Sequence, residues 1–435
     1  MSLTKEINNI KRVIDENERL KKAVSELSIL NEISTAISST LSLEKIIDLI
    51  VWKCIKHLKV EQAAVMLLDE SKSDKPFQTM IRKADSQIKS LTPLRLDAQI
   101  SGWIIKNRKP VIVNDINTDS RFHRTFSKSV QIKSFLSVPL LSKGSIIGII
   151  TIFNKKGNGG FTHDDERLLS IIAAQSTQVI ENARLLEEEK RYLQIQKELA
   201  MAAEIQKNIL PKEIPEIQNY EIAAVNIPAK EVGGDYYDLL LTGNRELIFC
   251  LGDITGKGIP AALLMSNLQA TFRGQAQIHS TLREVISAAN TLLHKSTEPD
   301  KFATFFSGIL NYENNILTYC NAGHDNPILI SQNGKISRLN KGGIILGFLD
   351  NVIYEVENLP IKAGDKLIVY SDGITETMNP GEELYGEERL IELISSQRNL
   401  TANMLLQKIV DETGKFSGGA SQHDDKTLLI IQRLK

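Results

Sequence analysis

At 435 residues the chain is long enough for two or three domains, each burying its own core. Its 52 basic and 53 acidic residues nearly cancel, which leaves no electrostatic footprint for nucleic acid or for an anionic membrane surface. The amino terminus, MSLTKEINNIKR, lacks the apolar core of a secretory signal, and runs such as Ile146 to Phe153 are far too short to span a bilayer, so a cytoplasmic location is expected.

The first segment spaces Ile10, Val13, Asn17, Leu20, Val24, Leu27 and Asn31 by threes and fours, the pattern of a helix with an apolar seam. Asparagine at two seam positions fits a coiled coil, where it fixes register, and equally fits an amphipathic helix packed on its own domain. Residues 1–26 are read as an N-terminal helix, and a homodimer is expected.

Residues 27–188 mix helix and strand. A helical stretch, Leu43 to Leu58, precedes an apolar strand, Ala63 to Leu68, and a polar loop. A helix start at SGWIIKNRKP, a strand in PVIVNDI and paired strands in FLSVPLLSKGSIIGIITIFNK follow, with Lys143-Gly144 as the hairpin turn. The arrangement resembles a GAF domain, most closely in WIIKNRKPVIVNDI and in the SVPLL…GIITIFNK hairpin. That resemblance implies an antiparallel sheet with flanking helices that senses a small molecule or light. Asn154, Lys155, Phe161, Asp165 and Glu166 match the NK…F…DE pattern of cyclic-nucleotide-binding members, but Lys155 and Asp165 fit a structural ion pair equally well. Trp103 and His123 are candidates to line a pocket. No cysteine stands where a bilin would attach, and Cys54 lies on the early helix, which argues against a photoreceptor; the sensed ligand stays unnamed. Cys54, Cys250 and Cys320 are odd in number and show no CxxC spacing, and packing is their expected role.

From Asp164 to about Leu210 the chain has neither glycine nor proline, and Ile172, Val179, Leu186, Leu193 and Ala200 recur every seven residues. A connecting helix over 164–210 is expected, ended by Pro211 and Pro215, able to pair with a symmetry mate or to lie on either domain.

Residues 211–435 carry the chemistry. Leu247 to Leu251 read as a buried strand; Gly252, Gly256 and Gly258 permit a tight turn, and Pro260 is placed to begin a helix. Asp253 sits in that turn, either as a turn residue or as a hard ligand for a divalent cation. Three distant segments, GGDYYD (233–238), KLIVYSDGITE (366–376) and QHDDKTLLII (422–431), also set aspartate beside glycine or at a strand edge. Four such segments are hard to explain as turns, whereas paired Mg²⁺ or Mn²⁺ ions need several compact oxygen ligands.

The motifs ELAMAAEIQKNILP, AKEVGGDYYD, GDITGKGIPAALLM, ATFFSGIL, YCNAGHDNPILI, YSDGITE and DDKTLLII together resemble the stage II sporulation protein E-type branch of the metal-dependent PPM class of serine/threonine phosphatases. The resemblance implies an α+β fold, an α-β-β-α sandwich with the metal pair at one end. It also implies a water shared by two Mn²⁺ or Mg²⁺ ions as the nucleophile, with no protein nucleophile. Asp253 would bridge both ions, the Ile254 carbonyl would assist, Asp235 would hold one ion, and Asp372 and Asp424 the other. Asp425 and Asp238 come next, with helix capping and a supporting hydrogen bond as their alternative roles. No arginine in the motifs is suited to fork onto the substrate phosphate, and Lys257 is either a point charge for it or a solvated side chain. His324 in NAGHDNP is a candidate general acid or a structural hydrogen-bonder. Relatives imply a phosphorylated anti-anti-sigma (STAS-domain) protein as substrate, in partner-switching pathways. Two rivals remain: a signalling scaffold with a non-catalytic phosphatase-like half, and a regulator whose main business is binding a cyclic nucleotide.

Overall fold

A computed structural model of the chain describes residues 9–21, 23–24, 28, 42–68, 77–83, 98–122, 132–157, 159–298 and 300–435. The chain forms two compact units, Met1–Leu193 and Gln194–Lys435, whose boundary falls inside one helix.

In the first unit, helix α1 covers residues 9–21, with Ile10, Val13 and Leu20 exposed along it. Leu27 and Asn31, the last two members of the proposed seam, lie outside the described residues, as does His123. Helix α2 (Leu43–Leu58) leads into β1 (Val60–Leu68), β2 (Phe77–Lys83), α3 (Ala98–Asn107), β3 (Val111–Val113), β4 (Phe135–Ser142) and β5 (Ser145–Lys155). The strands form one antiparallel sheet in the order β2-β1-β5-β4-β3. Period-two alternation lets a strand feed two cores. Ile150 and Ile152 pack with Ile46, Ile50 and Cys54 of α2 and with Leu169, Ile172 and Val179 of the long helix α4 (His163–Ile209). Ile149 and Phe153 pack on the other face with Ile100, Ile104 and Phe122. At the β4–β5 turn, Lys143 and Gly144 take φ of 46° and 84°, the paired left-handed residues of a tight two-residue hairpin.

The NK…F…DE residues serve the fold. Lys155 Nζ meets Asp165 Oδ1 at 2.6 Å and the Leu58 carbonyl at 3.0 Å, which ties the end of β5 to the end of α2 and the start of α4. The Asn154 amide donates to Glu61 at 2.7 Å and accepts from the Lys133 N–H at 2.8 Å. Phe161 is buried in the core beneath α4. Of the two roles open to the Lys155–Asp165 pair, the structural one is realised.

The second unit is a sandwich of two sheets. Strands β7 (Tyr236–Thr242), β8 (Glu246–Ile254), β9 (Ala303–Asn311), β10 (Ile316–Ala322) and β13 (Gly342–Gly343) lie side by side, and β14 (Glu357–Pro360) also pairs with β10. The facing sheet runs β12 (Ile336–Arg338), β11 (Ile328–Ile330), β15 (Lys366–Tyr370), β16 (Lys426–Arg433), β6 (Tyr220–Ile227). Between them, Leu247, Phe249, Leu251 and Phe306 meet Leu367, Val369, Leu429 and Ile431. Helices α5 (Ile259–Ile278) and α6 (Leu282–Ser296) cover the outer face of the first sheet through Leu268, Phe272 and Ile286. After the short α7 (Asp372–Thr375), helices α8 (Gly386–Ser396) and α9 (Ala402–Ser417) cover the second through Leu390, Leu405 and Ile409. The α-β-β-α sandwich is therefore present; the sequence reading had not placed β7 inside the GGDYYD motif, the short β12, β13, β14 and α7, or α9.

Candidate metal centre

Antiparallel pairing brings four strand ends to one edge of the sandwich. Asp235 immediately precedes β7, Asp253 and Ile254 close β8, Asp372 follows β15 by two residues, and Asp424 and Asp425 immediately precede β16. Tyr236 pairs with Gly252, and Tyr370 with Leu428, so the ends are in register. Small residues let the loops close: a Cβ on Gly234 would stand 3.0 Å from the Ile254 carbonyl oxygen, and one on Gly373 2.0 Å from that of Asp425. The approach at Gly373 is one that any side chain would forbid, and that at Gly234 is tighter than side chains ordinarily allow.

Electrostatics register the crowding. Burial, followed by the charges of Asp372 and Asp424, pushes Asp253 up to about 7, and Asp235 lies within hydrogen-bonding reach of it. Asp235 is itself raised, by burial first and then by Asp253. Asp372 rises to about 6 through burial and the neighbouring Asp424. Such clustering of like charge under partial burial marks functional sites. Among the described residues no three His, Cys, Asp or Glu side chains are posed as a ready cage for an ion. The carboxylates repel one another and turn to local donors, Asp424 to Lys257 at 2.8 Å and Asp235 to the Thr427 hydroxyl at 2.6 Å. Asp372 Oδ1 is buried with no hydrogen-bond partner, a costly state that a cation would relieve. Carboxylates plus one backbone carbonyl, without sulfur or imidazole, suit Mg²⁺ or Mn²⁺.

Residues 243–434 match the family model of stage II sporulation protein E (SpoIIE), and residues 40–181 that of the GAF domain. The chain joins a GAF domain to a SpoIIE-type phosphatase domain. Protein IcfG of Synechocystis sp. is 30% identical over 264 residues, 54% of this chain and 41% of that protein. Phosphoserine phosphatase RsbU of Bacillus subtilis is 27% identical over 241 residues, 55% of this chain and 71% of that one. The SiaA-PP2C domain of Pseudomonas aeruginosa superposes with a TM-score of 0.50 at 17% identity, covering 56% of this chain and 98% of that structure, which establishes the fold. No helix among the described residues is long and apolar enough to cross a membrane.

Within the SpoIIE-type domain the remaining candidates separate by contact. Asp425 accepts from the amides of Ala229 (2.8 Å), Gly234 (2.6 Å) and Asp235 (3.3 Å), so it anchors the loop that presents Asp235. Lys257 donates to the His423 carbonyl at 2.7 Å besides its ion pair with Asp424, and that pairing raises its pKa. Asp238 points away into the domain, fully buried, held by Arg273 at 2.6 and 2.9 Å and by the Tyr236 hydroxyl at 2.5 Å. His324 is buried, bonded through Nδ1 to Thr304 (2.9 Å) and through its amide to Asn321 (2.8 Å); burial lowers its pKa to about 4, so it is neutral at pH 7 and has no acidic proton to spare there. Two contributors went unassigned in the sequence. Thr427 bonds Asp235, and Gln206, near the end of α4, grips both the N–H (3.0 Å) and the carbonyl (2.7 Å) of Gly233. Gln206 lies in ELAMAAEIQKNILP, so its motif was visible while its partner, 27 residues away, was not.

Proposed function

We propose that the chain is a metal-dependent protein phosphatase that hydrolyses phosphoserine or phosphothreonine on a signalling protein, under control of its GAF domain. The observation that carries this reading is the gathering of Asp235, Asp253, Asp372 and Asp424 from four separate strand ends, with Asp253 and Asp372 raised by burial and mutual repulsion. Two Mn²⁺ or Mg²⁺ ions bound there would supply a water of lowered pKa and positive charge against the phosphoryl oxygens.

The chain's own part is positional. Asp253, which lies within hydrogen-bonding reach of Asp235 and feels the charges of Asp372 and Asp424, would serve both ions, and the Ile254 carbonyl beside Gly234 would add a neutral ligand. Asp425 holds the Asp235 loop by its amides, and Thr427 orients the Asp235 carboxylate. Lys257 sits over Asp424, with its ammonium available to a phosphoryl oxygen once that carboxylate turns to a cation. The 27% identity to a phosphoserine phosphatase supports phosphoserine as the group attacked, and a STAS-domain protein is the proposed carrier.

The test is Mn²⁺-dependent phosphate release from a phosphoserine protein. The expected result is turnover that EDTA abolishes and that is absent from Asp253→Asn and Asp372→Asn. Turnover indifferent to EDTA and to both substitutions would sink the reading; a folded protein that binds Mn²⁺ and the phosphoprotein without turnover would favour a scaffold.

A further inference from the structure

Beside the carboxylate cluster, on the opposite side of β16 from the sandwich interior, lies a cavity of about 240 Å³. Its walls come from α9 (Val410, Gly414 and Ser417), from Ile227 at the end of β6, and from the loop entering β16. It meets the metal end through Gly373 and Asp424, and Glu376, whose charge acts on Asp372, also lines it. Lys426 lines it. Alternation along β16 turns Thr427 inward to Asp235 and Lys426 outward, in line with Leu428 and Ile430, toward the α8–α9 layer.

Lys426 is unusual in its isolation. It is 8% exposed, yet among the described residues its ammonium has no ion pair or hydrogen bond. The comparably buried Lys366 donates to the Arg398 carbonyl, and Lys257 is paired with Asp424. The stem is buried while the ammonium at its end opens into the cavity, where an anion would pair with it in a partly desolvated setting. The cavity wall around it is half apolar, through Ile227, Val410 and Met378. A methylene stem fits such a wall and a carboxylate fits the ammonium at its end; its single charge meets less repulsion from Asp424 and Glu376, which also line the cavity, than a dianionic phosphate would.

We propose that this cavity is a specificity subsite: Lys426 receives the carboxylate of an acidic residue that flanks the phosphorylated residue of the substrate protein. The proposal deepens the phosphatase reading and rests on it, since the shared rim at Asp424 and Gly373 sets the acidic residue within a few positions of the phosphoryl group.

The experiment uses the full-length protein and a phosphoserine peptide in which glutamate replaces alanine, one position at a time, across three residues on either side. Binding is read by fluorescence anisotropy, and phosphate release with Mn²⁺ gives kcat/KM. One position should favour glutamate about tenfold, as a charge-assisted hydrogen bond in a desolvated site does. Lys426→Met should bring that ratio close to one, and Lys426→Arg should keep most of it. Gly414→Phe should also abolish it by filling the cavity, because a side chain at Gly414 meets open space within 4 Å and a helical glycine tolerates replacement. A flat glutamate scan in the parent, or a preference that survives Lys426→Met, overturns the proposal. So does a flat scan accompanied by glutarate binding that Gly414→Phe abolishes, which would make the cavity a small-anion site. Loss of phosphate release alone counts against the phosphatase reading, while the anisotropy ratios still decide the subsite.

Discussion

Asp253 is costly to the metal-free fold. Its folded pKa of about 7 lies far above the ordinary 3.8, so the folded state favours the protonated carboxyl. The stability tied to that proton is full below pH 3.8 and is lost as pH rises through about 7. In chelator, the melting temperature of the phosphatase domain should therefore fall between pH 5 and 8. Asp253→Asn should flatten that slope, raise stability at pH 8 by on the order of 2 kcal/mol, and cancel the stabilisation by Mn²⁺. Calorimetric scans with and without Mn²⁺ check both signs; an Asp253→Asn protein less stable than the parent in EDTA contradicts the crowding. Asp238 makes the opposite case. Its repulsion is already answered by Arg273, so Arg273→Met should cost about 3 kcal/mol in urea denaturation by orphaning a buried carboxylate, with Mn²⁺ affinity unchanged. Two aspartates of one motif thus divide into site and scaffold. Sequence could rank them but not separate them, because the deciding arginine stands 35 residues downstream on α5.

Elements were most readable where one periodicity ran alone. The buried apolar run Leu247 to Leu251 marked β8 to within a few residues, and the unbroken stretch before Pro211 marked α4. Tyr236–Thr242 escaped because its glycine-aspartate entrance reads as a turn, although Tyr237 and Leu239 face the inter-sheet core. Helix α9 escaped because Ala402, Leu405, Ile409 and Thr413 make a thin apolar stripe, although Thr401 caps it by accepting from the Met404 N–H. Where elements meet, sequence is silent, and the Gln206–Gly233 contact is such a junction. Gln206→Ala removes both bonds to the loop that presents Asp235, a loss of about 1–2 kcal/mol local to that loop. Hydrogen exchange at Gly233 and Gly234 should quicken, and Mn²⁺ should bind several-fold more weakly, with the core of the sandwich unaffected. Unchanged exchange at Gly233 would mean that the helix end does not restrain the metal loop.

At the scale of the whole molecule, the question is what covers α4. A single seven-residue repeat runs through it, and the repeat cannot tell a helix packed on its own domain from one paired with a second copy. The structure divides the two along its length. Ile172 and Val179 are buried in the GAF core, but Leu186 (56% exposed), Tyr192 (62%), Leu193 (51%) and Met201 (64%) stand in the open. Over 47 residues the helix extends about 70 Å, and its middle third shows large apolar side chains on a repeat that fits knobs-into-holes packing. We expect this stretch to form a parallel dimer seam, with Gln175, Asn182 and Glu189 at the alternate positions limiting its strength. Sedimentation should give twice the 48.5 kDa chain mass for the parent and the monomer for Leu186→Lys combined with Leu193→Lys. Both substitutions lie outside the domain cores, so circular dichroism should keep its helical signal. A parent that is monomeric at high micromolar concentration would exclude the seam. A dimeric double variant would move the interface elsewhere, with the exposed face of α1 the next stretch to substitute.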